Sequence, residues 1–470
     1  MYADVYLPIA VNHTFSYLIP KKLENTIKKG ALVHVPFING YTIGYVNNIV
    51  CNKKYPGKIK SIDSLFSNIL INHKDLSILI DWMSKYYLTP KGIILKRIFS
   101  FLFQKKKNKK EKAILITESG KNALNQNKIN GNSRIKILQF ISKKKNFIRI
   151  STLKNKINFS TQTLNSLLRD KYIKVKELSI DFNPIDNISS EKKQLELSLK
   201  QNKIFSVIND KIGSNQFSTN LIHGITGSGK TEVYIKLIEK IVQQNKSALV
   251  LVPEIILTPE IAKRFKSYFQ NQVGIWNSDM TYSEKKWTWN NLIKDKIKII
   301  IGTRSAIFLP IKNLQIIIVD EEHDSSYKQS DGMPSYNARD IAIIRAKNLK
   351  IPVVLGSATP SIESYYNSIS KKYNYFELKE RYGNAAYPNV ELIDMFREKN
   401  KDQIFSKKLL SSIKICLEKK EQIILLHNRR GFASMLYCTN CGHVFTSSKT
   451  SVPLTYHKMY NQLLCHHTEE

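Results

Sequence analysis

The sequence runs to 470 residues, which gives a prior of about three domains. With 42% hydrophobic and 10% aromatic residues it holds material for several buried cores, which excludes a disordered chain. Its 73 Lys and Arg against 38 Asp and Glu leave a net charge of +35, which reads either as the footprint of a polyanion such as nucleic acid or as codon bias in a Lys-, Asn- and Ile-rich chain.

In chain order, MYADVYLPIAV lacks the basic region and apolar core of a signal peptide. Residues 1 to about 50 alternate apolar and polar positions in ADVYLPI, TFSYLIP, ALVHVPF and NGYTIGYVNNI, a period of two that predicts a small β module. Asn39-Gly40 is the expected hairpin turn. From about 62 to 100 the spacing turns helical, as in DLSILIDWMSKYYL. LFSNILINHKDLSILIDW is broken by His, Lys and Asp, and no apolar run reaches the roughly 18 residues of a membrane span. Five cysteines are too few for a disulfide scaffold, and Cys51 and Cys416 read as small buried hydrophobes. The chain thus reads as soluble and cytoplasmic. KKKNKKEK, 105 to 112, reads as a solvated linker or as a phosphate-contacting patch. Residues 113–178 predict short helices followed by a β-wing, which is either a winged helix or an inert helical packing unit. After the polar connector DFNPIDNISSEKKQ, the strands ALVLVPEI, IKIIIGT, LQIIIVDEE and IPVVLGSATP alternate with helices, which predicts a parallel sheet covered on both faces.

Chemistry concentrates in that sheet. HGITGSGKTEVY carries G-x-x-x-x-G-K-T, with Gly224, Ile225, Thr226, Gly227, Ser228, Gly229, Lys230 and Thr231. Its glycines let backbone N–H groups wrap phosphate oxygens at a helix N-terminus, Lys230 reaches the outer phosphates, and the Thr231 hydroxyl ligates Mg²⁺. The strand IIIV ends in Asp320-Glu321-Glu322-His323. A carboxylate there suits Mg²⁺ and the next suits the attacking water, so Asp320 takes the metal, Glu321 the water, and His323 a link to neighbouring elements. GSATPS supplies Ser357 and Thr359 to relay the γ-phosphate state. In CTNCGHVFTSSKTS, Cys438 and Cys441 have zinc-knuckle spacing, but the next cysteine is Cys465.

The phosphate loop, D-E-x-H and S-A-T resemble superfamily 2 helicases. HGITGSGKTEVY, LVPEIILTPE, IGTRSAIFLP, DEEHDSSYKQ, GSATPS and LLHNRRGFA together resemble the PriA-type primosomal replication-restart helicases. The resemblance implies a multidomain α/β chain. Its parts are an N-terminal β-rich DNA-binding domain (1–104), a winged helix (113–178), a RecA-like ATPase lobe (195–375), the start of a second lobe (376–437) and a degraded zinc region (438–470). It implies an ATP-dependent DNA helicase with ATP and Mg²⁺ as cofactors, recognition of stalled forks and 3′-to-5′ unwinding. Forked and single-stranded DNA, primosome proteins, the replicative helicase with its loader, and single-stranded DNA-binding protein are the implied partners, with no membrane. By the same resemblance Gln201 reads adenine, and Phe15 and Tyr17 belong to a 3′-end pocket in which Ser16 replaces an acid. Pro253, Glu254, Thr258, Thr303 and Arg304 face DNA. Tyr327, Lys328, Gln329, Tyr336 and Arg339 lie in an aromatic loop that grips DNA, where the tyrosines read either as base-stacking or as packing residues. The family builds two zinc sites from four C-x-x-C pairs. Here the second pair falls on Ser447 and Thr450 and the third keeps Cys465 beside Thr468, so tight zinc on Cys438, Cys441 and Cys465 is not expected. A second lobe that stops early is expected to lack the arginine-bearing motif, which leaves a fork-binding scaffold without unwinding as the alternative.

Overall fold

The structure, a computed structural model, describes residues 1–51, 57, 59–101, 110–126, 128–142, 148–154, 157–179, 195–254, 256, 259–381, 388–395, 405–426, 436, 438, 440–457, 459, 461–465 and 468. Thr258 and the motif beginning at His427 fall outside them. The chain forms two compact units, 1–386 and 387–470.

The first unit opens with β1 (Tyr2–Tyr6), β2 (Phe15–Leu18), β3 (Leu32–Phe37), β4 (Gly40–Val50) and β5 (Ser64–Ser67), in the sheet order β2-β1-β4-β3-β5. The pairing within it is antiparallel, and the inward positions Ala3, Val5, Val33, Val35 and Val46 form its core, as the alternation predicts. The β3–β4 turn falls on Ile38 and Asn39, one residue earlier than expected, because Phe37 pairs with Gly40 and Ile38 takes the positive φ of 51°. Helices α1 (Ile69–Asn72), α2 (Lys74–Tyr86) and α3 (Lys91–Ile98) follow. A second small sheet, β7-β6-β8, is built from β6 (Lys110–Ile116), β7 (Ile148–Arg149) and β8 (Ile173–Ser179). It shares a core with α4 (Glu118–Asn125), α5 (Asn132–Ser142), α6 (Ile150–Lys154) and α7 (Thr161–Arg169).

Seven parallel strands make the large sheet, in the order β11-β12-β10-β13-β14-β9-β15. They are β9 (Ser218–Gly224), β10 (Ser247–Leu251), β11 (Val273–Trp276), β12 (Ile299–Gly302), β13 (Leu314–Asp320), β14 (Pro352–Ser357) and β15 (Asn374–Leu378). Helix α8 (Leu199–Asn209) precedes the sheet, and the crossover helices are α9 (Lys230–Gln243), α10 (Pro259–Phe269), α11 (Tyr282–Ile293), α12 (Ala338–Leu349) and α13 (Ile362–Ile369). Central strands such as SALVL and PVVLGS are buried at every position, the mark of a sheet covered on both faces. Strand β15 pairs with β9 through Leu378, so this lobe runs past the expected boundary at 375.

Helices α2 and α3 do not close a core of their own. Leu76, Leu79, Ile80, Met83, Ile94 and Leu95 belong to one cluster with Ile307, Phe308, Ile341 and Ala342 of the large lobe. At its heart Arg345, 0% exposed, donates from Nε and Nη2 to Asp75 Oδ2 at 3.0 and 2.8 Å and from Nη1 to the Ile307 carbonyl at 2.5 Å. The described part of the second unit holds α14 (Lys407–Glu418) and a hairpin of β16 (Thr455–His457) and β17 (Gln462–Leu464). No helix among the described residues is long and apolar enough to cross a membrane.

Candidate nucleotide and nucleic-acid site

Strand β9 delivers the chain to the phosphate loop, and Gly229, at φ 83°, caps α9. A non-glycine residue at that φ is strained, and a Cβ there would stand 2.1 Å from Gln201 Nε2. Gln201 lies behind the loop. Its Nε2 donates to the carbonyls of Ser228 (3.1 Å) and Gly229 (3.4 Å), and its Oε1 accepts from Ser198 N at 2.8 Å. Both ends of the amide are engaged and the residue is buried, so Gln201 braces the loop where the resemblance implied an adenine reader. Ser228 Oγ is buried with no hydrogen-bond partner among the described residues, while Thr226 and Gly227 form the exposed crest. An unpaired hydroxyl inside a loop of N–H groups at a helix N-terminus fits a phosphate. Lys230 Nζ donates to the Gly224 carbonyl at 2.7 Å and stands 3.9 Å from Glu321 Oε1.

Asp320 ends β13, two strands from β9. The Tyr234 hydroxyl donates to Asp320 Oδ1 at 3.0 Å and the Tyr327 hydroxyl to the Asp320 carbonyl at 2.6 Å. Burial, reinforced by the charge of Glu321, pushes the Asp320 carboxyl up to about 6, while Lys230 and the Tyr234 hydroxyl pull the other way. Glu321 sits at φ 45°, a left-handed backbone uncommon outside glycine and typical of sites where strain is stored. Glu322 is 2% exposed and is no base: its carboxylate accepts from Ser361 N (2.7 Å), Ser364 Oγ (2.8 Å) and Arg339 Nη1 (3.0 Å). His323 Nδ1 lies 2.7 Å from Ser357 Oγ, and Thr359 Oγ1 lies 3.4 Å from His323 Nε2, which ties the DEEH strand end to the next one.

Several residues expected to touch DNA are placed otherwise. Tyr327 and Tyr336 are buried, Tyr336 edge-on to Phe308 at 5.3 Å, so neither ring presents a face to a base. Tyr17 is buried with its hydroxyl on the Pro36 carbonyl at 3.1 Å. Thr303 and Pro253 are buried too. Arg339 is spent on Glu322, Asp340 and Ser361. Gln329 is buried in the loop. Arg304 reaches the Ser326 carbonyl at 3.1 Å and stands 3.7 Å from Glu254, itself at the surface. Phe15 is half-buried edge-on to Phe37, and Lys328 is exposed. Ser16 pairs across the strands with Asp4 and donates to Asp4 Oδ1 at 3.0 Å, so a carboxylate is present beside position 16 after all.

The cysteines do not assemble a metal site: among the described residues no three His, Cys, Asp or Glu side chains converge. Cys438 and Cys441 share a tight turn, with Gly442 N donating to the Cys438 carbonyl at 2.8 Å. Cys465 lies buried elsewhere, 4.0 Å from Thr450 Oγ1, while Ser447 Oγ is 3.3 Å from Thr468 Oγ1. Thr450 thus faces Cys465 and Ser447 faces Thr468, but three of these four groups are hydroxyls, poor ligands for zinc beside thiolates. The residues present do not fit the zinc that the resemblance implies.

Sequence reading missed three functional contacts. Tyr234 stands one turn after Lys230, on the same face of α9, and that i, i+4 spacing was its signal. Arg97, whose Nη2 donates to the Asp331 carbonyl at 3.0 Å, and Tyr87, whose hydroxyl accepts from Asn337 N at 3.4 Å, hold the two ends of the aromatic loop and left no signal.

A family model described as a 3′ DNA-binding domain matches residues 4–100, and one described as the res subunit of type III restriction enzymes matches 189–362. The replication restart protein PriA of Bacillus subtilis is 30% identical over 99% of this chain and 67% of its own length. This chain belongs to the PriA family. The PriA proteins of Chlamydia trachomatis and Rickettsia conorii are 35% and 36% identical over 99% of the chain. The chain spans 63% and 59% of those two relatives.

Proposed function

We propose that the chain is a replication-restart protein that binds stalled or branched DNA forks and hydrolyses ATP to unwind duplex DNA. The observation that carries this reading is the meeting of a braced phosphate loop with Asp320 and Glu321 at the C-terminal ends of one parallel sheet, where such sheets bind ligands. The loop 224–229 with Lys230 would hold the phosphates of ATP, and Thr231 and Asp320 would hold Mg²⁺, which supplies charge neutralisation there. Lys230 exchanges the Gly224 carbonyl for a phosphate oxygen. Glu321 orients the attacking water and takes its proton. His323, Ser357 and Thr359 pass the state of the site to β14 and the segment after it. Lys328, with Arg304 once it leaves Glu254, is the cation offered to DNA phosphates, and Phe15 with Asp4 and Ser16 the pocket for a 3′ end. The fuller reading adds 3′-to-5′ polarity, primosome assembly and loading of the replicative helicase. Primosome proteins, the helicase loader and single-stranded DNA-binding protein are then its partners, on chromosomal DNA in the cytoplasm.

The test is ATP hydrolysis by the purified chain, with and without a fork bearing a leading-strand 3′ end, at stated salt, with Lys230→Ala as control. Fork-stimulated turnover that the variant loses is the expected result. Failure of the parent chain to bind ATP would sink the reading. Fork binding without turnover or strand displacement would leave the fork-binding scaffold.

A further inference from the structure

Along the seam between the N-terminal module and the large lobe runs a groove of about 510 Å³, within the range of small-ligand sites. Ser67, Asn68, Asn72 and His73 line one side, and α11 lines the other with Trp289 and Asn290. Lys294, which caps the C-terminus of α11, and Lys312, on the turn before β13, stand at its rim. Among the described residues no carboxylate lines it. Among the described residues neither lysine forms an ion pair, in a lobe where Lys298, Arg304 and Arg339 all do. The groove is a place where positive charge has been left uncompensated.

Its hydrogen-bonding groups are also unspent. Asn68 Oδ1 is buried yet has no partner among the described residues. Asn72 and Asn290 are exposed amides on the two opposing walls. Burial lowers the His73 imidazole below its usual range, and the charges of Arg345 and Lys312 act in the same direction against that of Asp75, so the ring is a neutral hydrogen-bonding group. Trp289 is fixed from behind, edge-on to Phe99 at 6.3 Å and to Phe101 at 4.8 Å, and so offers its indole without freezing a mobile ring. Cations, amides able to meet a base edge, and an anchored aromatic ring form the set that grips an unpaired nucleotide. An acidic peptide would use the lysines and has no base plane to lay against the anchored Trp289 ring.

We propose that this groove binds one nucleotide of single-stranded DNA, its phosphate between Lys294 and Lys312 and its base against Trp289 and Asn68. The site is separate from the nucleotide loop and from the pocket at Phe15. The proposal rests on the DNA-binding part of the reading above and asks nothing of ATP turnover.

The experiment titrates the full 470-residue chain with an oligo-deoxythymidine strand at several salt concentrations, beside Lys294→Gln/Lys312→Gln and Trp289→Phe. One phosphate neutralised between the two lysines contributes about 0.7 to the slope of log K against log salt for a single strand. The double variant is expected to lose that slope and to bind roughly tenfold more weakly at low salt. Trp289→Phe, which keeps a ring against Phe99 and Phe101, is expected to lose the tryptophan quenching that the strand causes. Unchanged ATP-analogue binding in both variants reports an intact fold. An unaltered slope and affinity in the double variant would overturn the groove while leaving fork binding in place. Loss of binding to an acidic peptide with single-strand binding intact would also overturn it. A parent chain that binds neither the strand nor a fork would overturn the DNA-binding reading itself.

Discussion

Gly356 and Tyr234 show how closely single atoms define the nucleotide site. A Cβ on Gly356 would come within 1.6 Å of the Tyr234 hydroxyl, and that hydroxyl is buried and committed to Asp320. The ring has nowhere to retreat, so Gly356→Ala is expected to destabilise the chain by about 1–3 kcal/mol, the usual range for overpacking a tight interior. Tyr234→Phe removes the atom that the new methyl meets first. Because the two positions touch, their effects should not add, and the double variant should recover part of the loss in urea unfolding. An alanine variant with the parent's midpoint would show that the site has slack. The SAT strand was legible as chemistry from its hydroxyls, whereas its glycine was not, because the requirement comes from a tyrosine on another strand's crossover.

At the scale of an element, the second unit keeps the turns of a metal knuckle with other chemistry inside. Thr450 faces Cys465 and Ser447 faces Thr468 at 4.0 and 3.3 Å. Two thiolates on one tetrahedral zinc, at Zn–S of about 2.3 Å, stand about 3.8 Å apart. The spacing within each pair is therefore close to that of two zinc ligands, while three of the four ligand atoms are hydroxyls. Ser447→Cys/Thr450→Cys/Thr468→Cys is expected to take up one zinc per chain with Cys465 as the fourth ligand, measured as metal content after chelator dialysis. A triple variant without zinc would mean that the turns have drifted from tetrahedral geometry. The hairpin around Asn39 teaches a related lesson. Its strands were legible from period-two alternation, but the turn slipped one residue because pairing of Phe37 with Gly40, not local turn chemistry, fixed it.

Across the whole molecule, what could be read from the sequence divides by distance along the chain. The parallel strands and the phosphate loop are local patterns and stand where they were expected. The tyrosines of the aromatic loop could not be assigned that way, because a ring in a polar loop serves stacking or packing equally well, and Phe308 and Asp320 decided for packing. Asp75 and Arg345 are 270 residues apart, and no periodicity announces such a pair. With one partner removed, the other is left as an uncompensated buried charge, which costs about 3–5 kcal/mol. Asp75→Ala is therefore expected to lower stability by that amount. Its loss should appear as one transition shared by a probe in the N-terminal sheet and a probe in the large lobe. Two separated transitions would show that the modules fold apart. The pair also bears on descent. The segment recognisable as a 3′ DNA-binding domain ends near residue 100, yet Leu76, Leu79, Ile80 and Met83 find their packing partners beyond residue 300. A recombination joint near residue 100 would hand each daughter an oily face without its mate. A heritable unit that keeps both faces covered is therefore expected to include the large lobe, its bounds set by packing and not by the ends of a recognisable segment.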